Sequence, residues 1–182
     1  MPAGQNQRIN MQKVFGITGW KNSGKTTLVV NLIENLRARG YSISTLKHAH
    51  HNFDIDKEGT DSHKHRGAGA QEVLIASGKR WALMHEVASE QEASMGELLA
   101  RMAPVDLVII EGYKLEEHPK LQVIRAENNT DALPESANNL VALVSDAKLE
   151  PADYSCKGPL FALDNVDGIA DFIIEHCQLE SQ

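Results

Sequence analysis

A chain of 182 residues, 42% of them hydrophobic, is long enough to bury a substantial core and has the size of one ordinary domain. Asp and Glu outnumber Lys and Arg by 25 to 18, a formal charge of -7, which excludes broad electrostatic attraction to nucleic acid or to an anionic membrane surface; any anion must be caught locally. Cys156 and Cys177 lack metal-type spacing, no apolar run approaches the ~20 residues that span a bilayer, and the opening MPAGQNQRIN is too polar for a signal peptide, so the expected setting is the reducing cytoplasm.

Residues 1–13 read as a flexible tail, and residues 14–18 as the first strand. Over residues 25–39 the apolar positions Leu28, Val29, Leu32, Ile33 and Leu36 recur at three- and four-residue steps, and Gly40 follows as a stop, which predicts an amphipathic helix. Residues 42–47 return to extended character. Strand, helix and strand thus succeed one another within roughly thirty residues, the span of a parallel crossover unit. A polar, histidine-rich segment (48–65) comes next, then two short apolar runs (72–76 and 80–87) split by Ser77-Gly78-Lys79, which predict a hairpin. A helix is expected over 89–102, ending before Pro104, and Leu107 to Ile110 form a wholly apolar strand that closes on Glu111-Gly112. Further strands are expected at 121–125, 140–145 and 160–162. The last helix shows a stripe of Val166, Ile169, Ala170, Ile173, Ile174 and Cys177, with Asp164 or Asn165 placed to cap it. This order predicts an α/β protein with a mostly parallel sheet flanked by helices, residues 14–178 forming a single domain.

Between the first strand and the first helix stands GWKNSGKTT, residues 19–27, which matches G-x-x-x-x-G-K-[ST] at every fixed position and lies in the strand-to-helix context that a phosphate-binding loop needs. Gly19 and Gly24 let the backbone curl so that the amides of Trp20, Lys21, Asn22 and Ser23 turn inward, and the helix start adds partial positive charge. Lys25 would reach the β- and γ-phosphates, Thr26 would ligate Mg²⁺, and Thr27 would approach the α-phosphate. Lys21 lies one position later than the second lysine of some variant loops and reads as solvated. Glu111, at the carboxyl end of its strand, is placed to assist the metal, whereas Asp106 sits at the opposite end and reads as a turn residue. Asp54 and Asp56 follow the second strand, where one of them could complete the magnesium site or position a water. Lys25, Asp56 and Glu111 are therefore the catalytic candidates.

KHAHHNFDID, residues 47–56, allows three readings. His48, His50 and His51 with Asp54 and Asp56 could ligate a transition metal, although spacing this tight seldom closes a tetrahedral site. Lys47 and the same histidines, with Arg66, could instead hold an anionic second substrate or partner; or the segment is a solvated switch that orders with nucleotide. Arg66 could equally pair with Glu72. For the base, the tetrad [NT]-K-x-D is absent from the sequence, but Ser145-Asp146 closes an apolar strand, where an aspartate can accept both hydrogens of guanine's Watson–Crick edge.

The segments GWKNSGKTT, LKHAHHNFDIDKEGTDS, RGAGAQEVLIAS, RWALMHE, VIIEGYK and VALVSD, in this order, resemble the molybdopterin-guanine dinucleotide biosynthesis protein B (MobB) family over residues 14–172. The resemblance implies a P-loop NTPase-like fold and a GTP- and Mg²⁺-binding accessory to the molybdenum-cofactor guanylyltransferase (MobA-type), which joins GMP to molybdopterin. It further implies at most weak GTPase activity, molybdopterin as a possible bound ligand, and a homodimer in which the hairpin at 72–87 contributes to a shared sheet. Asn22 departs from the third glycine common in related loops. The competing reading is a small P-loop kinase or ATP-dependent synthetase acting on an anionic small molecule. Such an enzyme needs arginines that clamp the transferring phosphoryl group, whereas Arg37, Arg39, Arg66, Arg80, Arg101 and Arg125 are scattered along the chain.

Overall fold

A computed structural model describes residues 12–49, 53–87, 92–128, 131–134 and 136–180. In chain order the elements are β1 (Val14–Thr18), α1 (Lys25–Ala38), β2 (Ile43–Lys47), α2 (Asp61–Gly67), β3 (Glu72–Ala76), β4 (Trp81–His85), α3 (Met95–Ala100), β5 (Leu107–Glu111), β6 (Lys120–Ile124), β7 (Leu140–Ser145), a single 3₁₀ turn (Pro151–Tyr154), β8 (Leu160–Ala162) and α4 (Val166–Cys177). They fall into two compact units, one holding residues up to His48 and from Pro104 onward, the other Ala49–Ala103.

In the first unit six strands form one sheet in the order β2-β5-β1-β6-β7-β8, and every neighbouring pair is parallel. From β1 the chain passes to β2 on one side, while β5 leads to β6 on the other. The crevice that such a change of direction opens lies beyond the carboxyl end of β1, at Thr18.

Alternation along the strands sends successive side chains to opposite faces. Phe15, Ile17, Leu107, Ile109, Leu121, Val123, Ala142 and Val144 join Leu28, Leu32 and Leu36 of α1 and Ile169, Ala170 and Ile173 of α4 in the main core. The periodic stripes of α1 and α4 are thus the faces that pack on the sheet. α4 begins at Asn165, whose side chain accepts from Gly168 N–H, which decides between the two expected caps. Cys156 and Cys177 are free, buried thiols, and burial raises the Cys177 pKa to about 11.

Between Val14 and Ile124, the alternate residues of β1 and β6 are small or polar: Gly16, Thr18, Lys120 and Gln122. Lys120 is fully buried, and its ammonium donates to the carbonyls of Glu116 and Asn138. His118 lies against Gly16, where any side chain would collide with the imidazole. Neither ring nitrogen of His118 has a hydrogen-bond partner among the described residues. Burial, and then the Lys120 ammonium, lower its pKa to about 4. The folded state therefore holds His118 neutral, while the unfolded chain takes up a proton below about pH 6.5. Stability contributed in this way is complete above the unfolded pKa and is lost as pH falls toward 4, at about 1.4 kcal/mol per pH unit. His118→Gln is expected to flatten this limb by one proton; urea unfolding from pH 7.5 to 4.5 measures it, and equal slopes in parent and variant would refute it.

In the second unit β3 and β4 form the expected antiparallel hairpin, in register from Glu72↔His85 to Ala76↔Trp81. Val73 and Met84 are buried, whereas Leu74, Leu83 and Trp81 share the opposite face and are 60%, 42% and 68% exposed. The helix expected over 89–102 is shorter, Met95–Ala100, and residues 89–91 lie outside the described residues. Ser94 and Glu97 form a reciprocal capping box that fixes its start.

Candidate functional site: a phosphate cradle at the end of β1

β1 delivers the chain to the loop at Gly19 and α1 takes it up at Lys25. Gly24 is the N-cap with φ 92, a left-handed conformation that suits glycine, and no side chain caps the helix. Its first turn also contains no acidic residue. The amides at this end are therefore left for an anion, and the helix dipole favours one there. Asn22 has φ 63, so the residue that stands where related loops carry glycine adopts a glycine-like backbone, which asparagine tolerates better than most residues.

The loop is braced from β6 and the residues beyond it. Asn128 Nδ2 donates to the Asn22 carbonyl at 2.9 Å, and the Trp20 indole N–H donates to the Asp131 carbonyl at 2.9 Å, an acceptor shared with Gln122 Nε2. Lys114 Nζ lies 4.0 Å from the Trp20 ring centroid, a cation–π contact. Ser23 is fully buried, Lys21 and Thr27 are exposed.

Lys25 Nζ donates to the Trp20 carbonyl at 2.6 Å, so the ammonium is folded across the loop. Burial lowers its pKa; Glu111 opposes this, and the nearby Lys114 and Lys47 ammonium groups add to it. Thr26 Oγ1 donates to Glu111 Oε1 at 3.2 Å, and Lys47 Nζ lies 3.3 Å from the same oxygen. Parallel pairing brings this about, because Lys47 and Glu111 are register partners at the ends of β2 and β5. A hydroxyl and a carboxylate at this spacing form a hard oxygen set, and together with phosphate oxygens they fit Mg²⁺. His48 N–H donates to the Glu111 carbonyl at 3.0 Å, and its ring packs on Tyr113 with centroids 4.6 Å apart. At the far end of the same strand Asp106 accepts from Ser42 N–H and Oγ, as a turn residue would.

At the end of β7, Ser145 Oγ accepts from Ala147 N–H, and Asp146 Oδ1 accepts from Ala126 N–H at 2.8 Å. One Asp146 oxygen is thus committed to the loop that follows β6. Asp54, Asp56 and Arg66 belong to the second unit and are bound to one another. Arg66 lies 2.9 Å from Asp54 and 3.5 Å from Asp56, and it pairs with Glu86 at 2.7 Å, not with Glu72. Glu72 pairs instead with His85 and Arg101, because the hairpin register sets it opposite His85. Burial pushes the Asp56 carboxyl up, but the hydroxyls of Ser62 and Thr60 together with Arg66 hold it below its ordinary range. The Asp54 carboxyl is lowered by the Asp56 amide and then by Arg66. His50 and His51 lie outside the described residues, and no group of three or more metal-ligating side chains occurs among those described.

Two cations escaped the sequence reading as site residues. Lys114 stood within the E-G-Y-K signature without a role, and Arg125 was grouped with the scattered arginines. No sequence signal marks Arg125, because its place follows from the pairing of β6 with β1.

Residues 14–146 match the family model "Molybdopterin guanine dinucleotide synthesis protein B" (MobB). The chain is similar to the molybdopterin-guanine dinucleotide biosynthesis adapter protein of Escherichia coli K12, with 36% identity over 94% of this chain and 97% of that protein. It is likewise similar to the adapter protein of the same name from Haemophilus influenzae, with 38% identity over 90% and 89% of the two chains. The crystal structure of Bacillus subtilis MobB shares the fold, with a TM-score of 0.69 at 22% identity over 93% of this chain and 99% of that one. The chain described here belongs to the MobB family.

Proposed function

We propose that this chain is a GTP-binding adapter in molybdopterin guanine dinucleotide biosynthesis, assisting the guanylyltransferase that attaches GMP to molybdopterin. The observation that carries the nucleotide part is the uncapped, glycine-shaped start of α1 with Thr26 and Glu111 within hydrogen-bond distance beside it. The pathway part follows from the family and the named relatives. Lys25 would swing from the Trp20 carbonyl to the β- and γ-phosphates, and Thr26 and Glu111 would hold Mg²⁺ with the phosphate oxygens. Mg²⁺ would offset phosphate charge. Asp146 is the proposed reader of guanine, through the oxygen not bound to Ala126. Lys47 and His48, at the end of β2, are proposed to face an anionic partner or molybdopterin. The protein is proposed to work as a homodimer joined through its hairpin, and to hydrolyse GTP slowly if at all.

Calorimetric titration of the purified protein with GTP and with ATP, each with and without Mg²⁺, and with and without the guanylyltransferase, tests this reading. GTP is expected to bind at least about tenfold tighter than ATP, a difference of about 1.4 kcal/mol, with Mg²⁺ tightening it and the transferase shifting it. Equal affinities for GTP and ATP would remove the guanine assignment and favour a kinase or synthetase.

A further inference from the structure

We infer that Arg125 is a phosphate-binding residue of the cradle, supplied from β6 and absent from the loop motif itself. The inference rests on the nucleotide reading above and adds to it a cation that the motif does not contain. β6 runs parallel to β1, with Thr18 opposite Gln122, so the residue that follows β6 emerges beside the loop that follows β1. The guanidinium lies along Gly24: a methyl group at that residue would sit 3.5 Å from Arg125 Nε and 3.8 Å from Nη2.

This is a poor place for a cation on its own. The amino-terminal end of α1 carries partial positive charge and Lys25 is the next residue; the helix has no acid in its first turn, and the Glu111 carboxylate beside it is already shared by Thr26 and Lys47. Arg125 Nε is buried and has no hydrogen-bond partner among the described residues. Its Nη1 pairs with Glu127 at 3.3 Å, but that carboxylate is 71% exposed, and a pair of this kind holds a side chain weakly.

The backbone around Arg125 is nevertheless fixed. Ala126 N–H donates to Asp146, Asn128 N–H donates to the Arg125 carbonyl at 3.1 Å, and the Asn128 side chain donates to the loop at Asn22. The segment is tied to β7 on one side and to the cradle on the other. One anion shared by the loop amides, Lys25 and Arg125 accounts for the guanidinium, its unpartnered Nε and its tethers together. The planar fork of arginine is suited to phosphate oxygens, which an ammonium would meet only as a point charge.

The test is calorimetric titration of the full chain with Mg·GTP and Mg·GDP, using the parent, Arg125→Ala, Arg125→Gln, Arg125→Lys and Lys25→Ala. Arg125→Ala and Arg125→Gln are expected to bind both nucleotides about ten- to a hundredfold more weakly, as loss of a charged hydrogen bond predicts. Arg125→Lys should recover part of the loss, and the Ala and Gln variants should be less sensitive to salt than the parent. Arg125→Gln keeps much of the side-chain volume without the charge, so it decides the matter should Arg125→Ala fold poorly. Parent-like affinity in Arg125→Gln, with Lys25→Ala unable to bind, would overturn the role of Arg125 alone; parent-like affinity in Lys25→Ala would overturn the nucleotide reading beneath it.

Discussion

Lys25→Ala is expected to weaken Mg·GTP binding by at least about a hundredfold, roughly 2.7 kcal/mol, while leaving the far-ultraviolet circular dichroism unchanged. The ammonium is the one side-chain cation that the loop motif itself directs to the β- and γ-phosphates, and in this structure it is already held within the cradle on the Trp20 carbonyl. Moving it from a neutral carbonyl to a phosphate exchanges a weak acceptor for a charged one, which is where the binding energy arises. Its removal from the folded protein forfeits one charge-assisted hydrogen bond to the Trp20 carbonyl, about 1.5–3 kcal/mol, and relieves the burial that disfavours the charged ammonium. Calorimetry that found the variant binding GTP as tightly as the parent would overturn the cradle assignment.

The second large effect is expected at the hairpin. Leu74 and Leu83 are register partners on one face of β3 and β4, Trp81 stands on the same face, and all three are exposed. An apolar face on a two-stranded sheet with open edges is a surface for pairing. Placing an unpaired aspartate at Leu83 would bury a charge in any contact made there, at a cost of several kcal/mol. Leu83→Asp is therefore expected to sediment as a monomer at micromolar concentration where the parent sediments as a dimer. The fold of each copy should be little affected, because exposed substitutions generally change stability by less than about 0.5 kcal/mol. A monomeric parent would contradict dimerisation, and a dimeric variant would place the contact elsewhere.

Much of the fold was legible because it is written in local periodicity. β1, β7 and β8 begin and end where their apolar runs do, and α1 and α4 bury the stripes that their spacing marks. The cradle was legible because its chemistry is confined to nine consecutive residues. What escaped depends on pairing between distant segments. The partner of Arg66 is chosen by how β4 carries Glu86 toward α2, and no rule of spacing reveals that over 20 residues. Lys120 reads as a polar residue at a strand edge, yet its stem fills the interior and its ammonium reaches two carbonyls from separate loops. Arg125 acquires significance only once β6 is known to lie beside β1.

Glu111 offers the same oxygen, Oε1, to the Thr26 hydroxyl and to the Lys47 ammonium. A dication held at this carboxylate would meet the Lys47 ammonium as a like charge competing for the same negative group. Lys47, the cation that such a competition would repel, ends β2 two residues before the second unit opens at Ala49.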